Sequence, residues 1–395
     1  MIVADVADYR WLVDTGAEPF LCEAAAAADP TSTLVRLRKR LTSARAALVV
    51  EQATLRRRAR SKFPAADVMF FTARGLEQAT DAATAAFKAR RFPTDAPVVD
   101  LCCGIGGDLS ALAGRGPVRG IDADERTAIF AAANLRSVAA ERRGSASLVA
   151  QRAALDDVAA VAAWHCDPDR RPAGRRTTRL ELHEPDLAAL DEWRGVNEHA
   201  AIKLAPAAEV PPSWRERAAQ EWISRGGECK QLMAWFGNLA EVPGRRRATI
   251  VQADGAARTV DEVPNAELPA SDEIGRFVYE PDAAVLAADL LAPLAARHGL
   301  STLHPGCVYL TNDAPRRDPA LAAFEVCETL PFDRKRLRGV LAERNIGRLE
   351  IKKRGLDVDV ERLRRELKPH GDCEACLILA RRGDRVTAIL ARRLP

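Results

Sequence analysis

The residues of this chain most able to do chemistry lie in the stretch VVDLCCGIGGD, residues 98–108. Asp100 ends an apolar segment, and three glycines follow it: Gly104, Gly106 and Gly107. Bare backbone after a strand of a parallel sheet lies at the edge where such folds bind nucleotide-like ligands. Asp122 ends the next apolar segment, 22 residues after Asp100, close to the offset of about 20 residues at which an acid accepts ribose hydroxyls. The spacing therefore favours an adenosine-containing ligand over a plain structural turn.

The residue that follows the glycines narrows the class of ligand. A P-loop needs Gly-Lys-Ser/Thr at this point, and Asp108 stands where the phosphate-binding lysine would be. An acid at a helix N-terminus would also repel the pyrophosphate of a dinucleotide. S-adenosylmethionine has no phosphate and carries a sulfonium and an amino group, so Asp100 and Asp108 could meet positive charge. The cofactor-binding residues expected from these two segments are Asp100, Cys102, Gly104, Gly106, Gly107, Asp108, Asp122 and Ala123.

These two segments resemble motifs I and II of class I S-adenosylmethionine-dependent methyltransferases. The DLCCG form is similar to the DLFCG variant frequent in enzymes that act on RNA and DNA. From about residue 60 to 395 the chain resembles the bacterial members with a C-terminal THUMP-like domain, on the segments MFFTARGLEQAT, HCDPDRRPAGRR, AAIKLAPA, EWISRGGECKQLMAWFG and LEIKKRGLDVDVERLRRELK. The resemblance implies an α/β fold: a Rossmann-like class I methyltransferase sheet with an N-terminal helical region and a C-terminal α+β THUMP-like domain.

The segment MFFTARGLEQAT, residues 69–80, is similar to the stretch ahead of motif I in the trimethylguanosine synthase group. That likeness implies that five residues line the methionine end of the cofactor: Phe71, Thr72, Glu77, Gln78 and Thr80. A helix cap with an aromatic staple is the alternative. The acid that usually reads the adenine amino group is absent, since Gln151 and Arg152 hold its place. Gln151, Asp156, Asp157 or backbone atoms are expected to substitute.

CDPDRR, residues 166–171, occupies the place of the motif-IV loop in class I enzymes that act on bases. Asp167, Pro168 and Arg170 are the catalytic candidates, because an Asp-Pro turn beside the methyl donor can hold an exocyclic amino group. The loop lacks the usual aromatic residue and is nearer to the Asp-Pro-Pro-Arg loop of 5-methyluridine enzymes. Those enzymes need a cysteine nucleophile. The nearest candidates, Cys166 and Cys229, are expected to be buried and inert.

The net charge of +4 is unevenly distributed over the 395 residues. Residues 31–62 hold ten Lys/Arg against one acid, and residues 331–395 hold 18 against ten. Such clusters are typical of a protein that binds a polyanion. The alternative is that they are solvated, arginine-rich helices with no binding role. Charge alone therefore favours a nucleic acid partner. The resemblance to enzymes with a THUMP-like domain implies RNA, with phosphate contacts expected at Arg57, Arg58, Lys352, Lys353 and Arg354.

Composition and periodicity predict the domain organisation. Residues 1–95 are rich in helix formers, with one helical pattern over 31–63 capped at Thr31 or Ser32. Strands and helices alternate from 96 to 255, a polar linker follows over 256–275, and an α+β domain over 276–395 starts with a helix at 281–299.

Several classes of protein are disfavoured. No apolar run approaches the roughly 18 residues of a membrane span, and the N-terminus lacks the features of a secretory signal, so a cytoplasmic location is predicted. Nine cysteines are too sparse for a disulfide framework, and Cys373 with Cys376 lacks the partners for zinc. No metal is expected.

The function favoured by the sequence is S-adenosylmethionine-dependent methylation of a base in structured RNA, tRNA or rRNA. A DNA or small-molecule methyltransferase is one alternative. The other is an inactive RNA-binding protein of the same fold, favoured by the missing adenine-reading acid and the missing loop aromatic.

Overall fold

The computed structural model describes residues 4–138, 145–171, 177–383 and 385–394. The chain divides into two compact units. The first consists of Met1–Gln220, Gln231–Gly244 and Ala253–Gly255, and the second of Glu221–Lys230, Arg245–Gln252 and Ala256–Pro395. The sequence also predicts a helix over 125–143, of which 139–143 lie outside the described residues. Positions 172–176 of the family-like segment HCDPDRRPAGRR lie outside them as well.

The N-terminal region is helical, as predicted. Its helices are α1 Val6–Leu12, α2 Glu18–Ala26, α3 Pro30–Leu37, α4 Ser43–Ala59, α5 Ala73–Gln78 and α6 Ala82–Ala89. The single pattern expected over 31–63 is wrong, because it is interrupted between α3 and α4. The expected cap is also wrong: the Asp29 carboxylate accepts hydrogen bonds from the amides of Thr31 and Ser32, and Pro30 begins the helix.

The first unit then alternates strands and helices. In chain order these are β1 Val98–Leu101, α7 Gly107–Leu112, β2 Val118–Asp122, α8 Glu125–Val138, β3 Ala146–Ala150, α9 Leu155–Ala159, β4 Ala163–Cys166, α10 Leu187–Val196, β5 Ala200–Leu204 and α11 Pro212–Arg215. Strand β6, Ala219–Arg225, belongs mostly to the second unit, and β7, Glu228–Trp235, begins in the second unit and ends in the first. Within this unit the strand order is β3-β2-β1-β4-β5-β7. The first five are parallel, and β7 is antiparallel to β5.

This order decides where a ligand can bind. The chain winds from β1 outward through β2 to β3, and then returns to the other side of β1 with β4. In open α/β sheets the crevice at such a switch point, beyond the carboxyl ends of the strands, is the ligand site. Both predicted motif loops follow strands at this crevice, the glycine loop after β1 and the Asp-Pro loop after β4.

The N-terminal helices pack onto α8 of this sheet. Leu12, Leu37 and Val49 are fully buried in one cluster with Phe130 of α8. The ring of Phe70, which precedes α5, stacks on Phe130 with centroids 5.7 Å apart. Burying several such side chains contributes about 1.5–3 kcal/mol for each. The helical region is therefore part of the methyltransferase-like unit and fixes the segment that precedes β1.

The second unit is an α+β structure. Its elements are β8 Arg246–Val251, β9 Ala257–Asp261, β10 Phe277–Pro281, α12 Ala283–Ala287, α13 Leu291–His298, β11 Ser301–Thr302, β12 Leu310–Asn312, β13 Leu321–Pro331, α14 Arg334–Glu343, β14 Ile346–Lys353, α15 Val360–Leu367, β15 Cys373–Arg382 and β16 Arg385–Arg393. A sheet of order β11-β12-β10-β13-β16-β15-β14 forms its core, and β14 runs parallel to β15. Leucines of α14 and α15 are buried in one cluster with side chains of β14, β15 and β16.

Two details of this unit differ from the sequence expectations. The helix expected over 281–299 is two helices, because Asp289 adopts a left-handed conformation with φ 57°. Pro293 also prevents one continuous helix, since its ring would clash with the carbonyl group of residue 289. The segment expected to be a linker begins with β9, which pairs with β8 along Ala248 and Val260. Among the described residues, no helix is both long and apolar enough to cross a membrane.

Candidate functional site

A cavity of about 690 Å³ lies at the carboxyl ends of β1, β2 and β4. Small-molecule sites commonly enclose about 300–1,000 Å³. The predicted site residues that line this cavity are Thr72, Gln78, Thr80, Asp100, Cys102, Gly104, Gly107, Asp108, Asp122, Ala123, Gln151, Asp167, Pro168 and Arg170. Phe71, Glu77 and Gly106 are not among the lining residues, within the part of the chain that the structure describes.

The glycine loop after β1 needs its glycines for two different reasons. Gly104 and Gly106 have φ of 56° and 85°, the left-handed region that side chains rarely adopt. Gly106 ends the loop as the N-cap of α7. Gly107 is packed instead: a Cβ atom there would lie 2.9 Å from the carbonyl oxygen of Thr80. Cys102 also has positive φ, 56°, so the backbone is bent at both ends of the loop.

Asp122 is fixed at the end of β2 by two backbone amides. The amide of Gly104 donates to its Oδ2 at 2.9 Å, and the amide of Asp124 donates to its Oδ1 at 3.0 Å. Burial raises the pKa of Asp122, and these two hydrogen bonds oppose that shift. Each carboxylate oxygen keeps a further lone pair, so the group can still accept ribose hydroxyls. The predicted ribose contact fits this geometry.

Asp100 is fully buried in β1, directly opposite His165 of β4. Its Oδ1 lies 2.7 Å from Nδ1 of His165. Burial raises the pKa of Asp100, and the imidazole opposes that shift. Its Oδ2 is buried with no hydrogen-bond partner among the described residues. A buried carboxylate oxygen without a donor is costly, so a cationic group of a cofactor would stabilise this site.

Asp108 lines the cavity, but its carboxylate has partners within the protein. Its Oδ1 lies 2.7 Å from Nζ of Lys88 in α6, and the hydroxyl of Thr80 donates to Oδ2 at 2.7 Å. Burial alone would raise the pKa of Asp108, but the positive charge of Lys88 holds it well below its usual value. The charge that was expected to meet the ligand is therefore compensated inside the protein. Lys88 lies 20 residues before Asp108 in the sequence, and no motif indicated that the two would pair.

The segment before α5 is held by side-chain amides. Gln52 of α4 exchanges two hydrogen bonds with the backbone of Phe71, at 2.7 and 2.9 Å. Asn134 of α8 does the same with Phe70 and also donates to the carbonyl oxygen of Ile105. These bonds satisfy a buried backbone that has no strand beside it. The segment is thereby tied to the glycine loop, which places Thr72 and Gln78 at the cavity.

The predicted role of Phe71 is wrong in one respect. Its ring is fully buried and packs against Phe63, with centroids 5.8 Å apart, in a cluster that includes Ile105. An aromatic side chain in this core cannot line the ligand. Gly75 packs equally closely, because a Cβ atom there would lie 2.6 Å from Cγ2 of Ile105 and 2.7 Å from the Thr72 hydroxyl. Phe71 therefore supports the cavity wall from behind, whereas Gly75 is part of the wall itself.

The residues expected to read the adenine amino group differ in whether they line the cavity. Gln151 lines it, whereas the carboxylate of Asp157 accepts the amide of Ala154 and pairs with Arg119 at 2.7 Å. Asp157 is therefore engaged in local structure, and it is not among the lining residues of the cavity. Two aromatic lining residues were missed: Tyr9 of α1 and Trp193 of α10. Neither lies near a motif, and only the packing of distant helices brings them to the cavity.

The Asp-Pro loop after β4 presents a fixed carboxylate. Oδ2 of Asp167 lies 2.5 Å from Nζ of Lys203, which also donates to the carbonyl oxygen of Gln78 at 3.2 Å. Lys203 is 4% exposed within β5, where every residue is buried. The sequence did contain a signal for this residue. A lysine inside an otherwise apolar strand indicates a buried charge with a partner, because such lysines are almost always paired. Sequence reasoning missed it.

Neither candidate cysteine is placed to act as a nucleophile. Cys166 is fully buried, and burial raises the pKa of its thiol well above the usual value. Cys229 does not line the cavity. A reactive cysteine needs exposure and a lowered pKa, so the expectation of a buried, inert thiol fits Cys166. Cys229 is half-buried, so the expectation that it is buried is wrong.

The predicted phosphate contacts are of two kinds. Arg57 and Arg58 are exposed on α4, and Arg57 donates to the carbonyl oxygen of Ala27. Lys352 lies 2.6 Å from Glu280, and Arg354 lies 3.3 Å from the same carboxylate. Lys353 is exposed and donates to the carbonyl oxygen of Leu356. The positive charge of β14 is therefore largely compensated by its own neighbours.

No group of three or more His, Cys, Asp or Glu side chains with the arrangement of a metal site occurs in the ranges that the structure describes.

Comparison with known proteins agrees with this geometry. Residues 321–393 match the family model described as THUMP domain-like. The chain is 35% identical over 365 residues to an uncharacterized S-adenosylmethionine-dependent methyltransferase of Mycobacterium tuberculosis, in strains CDC 1551 and H37Rv, covering 88% of this chain and 97% of the relative. A crystal structure from Porphyromonas gingivalis W83, assigned as a methyltransferase, shares the fold with a TM-score of 0.76 at 21% identity and full coverage of both chains.

The residues of the cavity fit the cofactor of those relatives. The unpartnered oxygen of Asp100 suits a cationic group, the Asp122 carboxylate suits ribose hydroxyls, and the glycine loop leaves room beside both. S-adenosylmethionine is the cofactor, and the fold is the class I methyltransferase fold with a THUMP-like C-terminal domain. From its sequence identity and coverage, the chain belongs to the S-adenosylmethionine-dependent methyltransferases.

Proposed function

We propose that this enzyme methylates an amino nitrogen of a base in structured RNA, either tRNA or rRNA. The observation that carries the RNA part is the THUMP domain-like match of residues 321–393 in the same chain as a methyltransferase site. THUMP domains bind RNA in other enzymes, and the basic clusters at 31–62 and 331–395 provide the charge that a polyanion needs.

The choice of a nitrogen acceptor rests on the Asp-Pro loop. S-adenosylmethionine, when bound, supplies an electrophilic methyl group. The Asp167 carboxylate, oriented by Lys203 at 2.5 Å, can accept a hydrogen bond from an amino group and hold its lone pair toward the donor. Pro168 and Arg170 also line this part of the cavity, and Pro168 restricts the turn that presents the carboxylate.

The main alternative chemistry is methylation of carbon 5 of a pyrimidine. That reaction needs a thiolate to add to carbon 6 before the carbon becomes nucleophilic. Cys166 lies next to the Asp-Pro loop in sequence, but it is fully buried, and burial raises the pKa of its thiol. The inert thiol beside a fixed carboxylate therefore favours nitrogen over carbon.

Phosphate contacts are proposed on two surfaces. Arg57, Arg58 and Lys353 are exposed and carry no acidic partner among the described contacts. Lys335 and Arg336, at the start of α14, are likewise exposed and lack an ion pair in the described part of the chain. Lys352 and Arg354 would contribute only if RNA displaced Glu280. Contacts of this kind position an RNA without reading its sequence.

The decisive experiment identifies the product. RNA from cells with and without this gene is digested to nucleosides and compared by mass spectrometry, and labelled S-adenosylmethionine is incubated with RNA, DNA and metabolite fractions from the deficient cells. We expect one N-methylated nucleoside to disappear, and label to enter RNA with the wild type but not with Asp167→Asn. Label in DNA or metabolites instead would refute the RNA proposal. A 5-methylpyrimidine product would refute the nitrogen acceptor.

The basic surface has a separate test. Replacing both Lys335 and Arg336 with glutamine should weaken RNA binding at low salt and reduce the slope of log K against log salt by about one to two. Arg344→Gln is the matched control, because this arginine is half-exposed but already paired with Glu328 at 2.8 Å. Equal effects of the control and the double variant would contradict the proposed contact surface.

A further inference from the structure

Three arginine–carboxylate pairs lie around the rim of the cavity. One guanidinium nitrogen of Arg74, in α5, lies 2.7 and 2.8 Å from the two carboxylate oxygens of Asp169. Arg171 lies 2.8 Å from Glu77, which is again in α5. The third pair joins Arg152 and Glu184 at 2.5 Å. Arg74, Asp169, Arg152 and Glu184 line the cavity that holds Asp167.

The first two pairs both join α5 to the Asp-Pro loop. Helix α5 contributes the arginine to one pair and the carboxylate to the other. Helix α5 supplies Arg74 to the Asp-Pro loop and receives Arg171 from that loop through Glu77. Further hydrogen bonds hold the loop side: the backbones of Asp169 and Glu184 exchange two, and the Asp169 carboxylate accepts the amide of Arg171 at 3.0 Å. Two guanidinium groups are therefore held beside the predicted catalytic turn, and two carboxylates neutralise them.

These pairs are poor candidates for structural supports. The side chains of Arg74 and Asp169 are 54% and 35% exposed, and that of Glu77 is 61% exposed. Exposed ion pairs contribute little to stability, because water already solvates both charges and both side chains lose freedom. Their value must therefore lie in what the charges do at the rim.

The guanidinium of Arg74 remains able to bind a second anion. A guanidinium has five N–H donors, and the described contacts of Arg74 use only one nitrogen. The planar fork of arginine matches phosphate as well as carboxylate. A carboxylate that holds the side chain at the rim also lowers the entropy lost when a phosphate takes its place.

On these grounds, and resting on the proposed RNA methylation, we infer that Arg74 and Arg171 bind the phosphates that flank the target nucleotide. Asp169 and Glu77 are the competing partners that these phosphates displace. The rim is thus neutral without substrate and becomes an anion site when a nucleotide backbone arrives. A substrate that lacks flanking phosphates gains nothing from the exchange, so the rim selects a nucleotide within a chain over a free base or nucleoside.

The inference predicts opposite effects on RNA binding when the two partners of one ion pair, Arg74 and Asp169, are replaced. Removing Arg74 removes a phosphate ligand, whereas removing the charge of Asp169 removes a competitor. Asn keeps the Oδ1 atom that accepts the Arg171 amide, so Asp169→Asn changes the charge and preserves the loop. A merely structural pair would lose the same contact in either variant and show equal losses.

The experiment compares Arg74→Gln and Asp169→Asn in the full chain. Binding to the bulk tRNA and rRNA of gene-deficient cells is measured over a range of NaCl concentrations, together with S-adenosylmethionine binding by calorimetry. We expect Arg74→Gln to weaken RNA binding about five- to tenfold at 0.1 M salt and to reduce the salt slope by about one. Asp169→Asn should bind RNA as tightly as the wild type or a few-fold more tightly.

Arg10→Gln and Glu125→Gln form the matched control, because this pair is exposed, 2.8 Å apart and outside the cavity lining; neither should change RNA binding. Equal losses in Arg74→Gln and Asp169→Asn would overturn the inference. So would a loss confined to S-adenosylmethionine binding in Arg74→Gln, which would make Arg74 a cofactor ligand. Absence of RNA methylation by the wild type would instead overturn the proposed function, and it is seen before any variant is compared.

Discussion

Lys88 and Asp108 provide a sharp test of how the cofactor loop is held. Their side chains are 2% and 10% exposed, and Nζ lies 2.7 Å from Oδ1. Lys88→Met keeps the length of the side chain and removes its charge. The Asp108 carboxylate is then buried with the Thr80 hydroxyl as its remaining hydrogen-bond donor among the described contacts. Because both groups are almost fully withdrawn from water, the cost should fall in the range for broken buried pairs, about 3–5 kcal/mol of unfolding free energy at pH 7.

A double variant separates the charge from the packing. Asp108→Asn alone leaves an unpaired buried ammonium and should cost a similar amount. Lys88→Met with Asp108→Asn removes both charges, so we expect the pair to cost less than either single change. Urea unfolding followed by tryptophan fluorescence is a suitable assay, because five of the six tryptophans lie in the first unit: Trp11, Trp164, Trp193, Trp214 and Trp235.

The pH dependence has a defined sign. In the wild type the pKa of Asp108 lies well below its usual value because Lys88 outweighs the effect of burial. Its contribution to stability is therefore complete above the unfolded pKa and is lost only as pH falls toward the folded value. Without Lys88, burial raises the pKa of Asp108 above the unfolded value. The folded variant then takes up a proton, so the difference between Lys88→Met and the wild type should shrink from pH 7 to pH 5.

Two results would refute this reasoning about Lys88 and Asp108. A cost of Lys88→Met below about 1 kcal/mol that is the same at both pH values would show that the carboxylate finds water or another partner. A double variant less stable than both singles would show that the pair stabilises the fold beyond its packing, against the expectation for buried pairs.

Three further changes test the site. Gly75→Ala should cost about 1–3 kcal/mol of stability by overpacking against Ile105 and Thr72 and weaken S-adenosylmethionine binding in calorimetry; Gly195→Ala, which meets no atom within 4 Å, is the control and should be neutral or slightly stabilising. Asp122→Ala should weaken S-adenosylmethionine binding about tenfold or more, because hydrogen bonds to a charged group are worth about 1.5–3 kcal/mol; unchanged affinity would contradict the ribose contact. Cys166→Ala should retain methyl transfer, since the thiol is buried with a raised pKa; loss of activity in this variant, with a covalent RNA adduct in the wild type, would point to a nucleophile.

Local signals predicted the parts of the site that depend on short stretches of chain. Glycines at 104 and 106 are required by the backbone conformation of a few residues, and the period of the apolar residues gave the parallel strands of the sheet. Asp122 could be placed because two successive strands of such a sheet end at the same edge. These features depend on neighbours in sequence, so the sequence contains the information directly.

Contacts between distant residues could not be predicted in this way. Asn134 bonds to Phe70 across 64 residues, and Thr80 bonds to Asp108 across 28. The burial of the Phe71 ring against Phe63 and beside Ile105 likewise depends on residues outside its own segment. The break between α12 and α13 is different, because Pro293 was a local signal for it.

By itself, the sequence determined the parallel α/β sheet and the position of the cofactor loop, because glycine conformation, strand periodicity and motif spacing are local properties. The class I and THUMP-like assignments came from the resemblance of its motifs to a known family. Only the tertiary structure decided which charges remain available to ligands. Asp108 is neutralised by Lys88, Asp167 is held by Lys203, and Lys352 is matched by Glu280. The physical reason is that the effect of a charge depends on burial and on partners within a few ångströms, and folding brings those partners from distant parts of the chain.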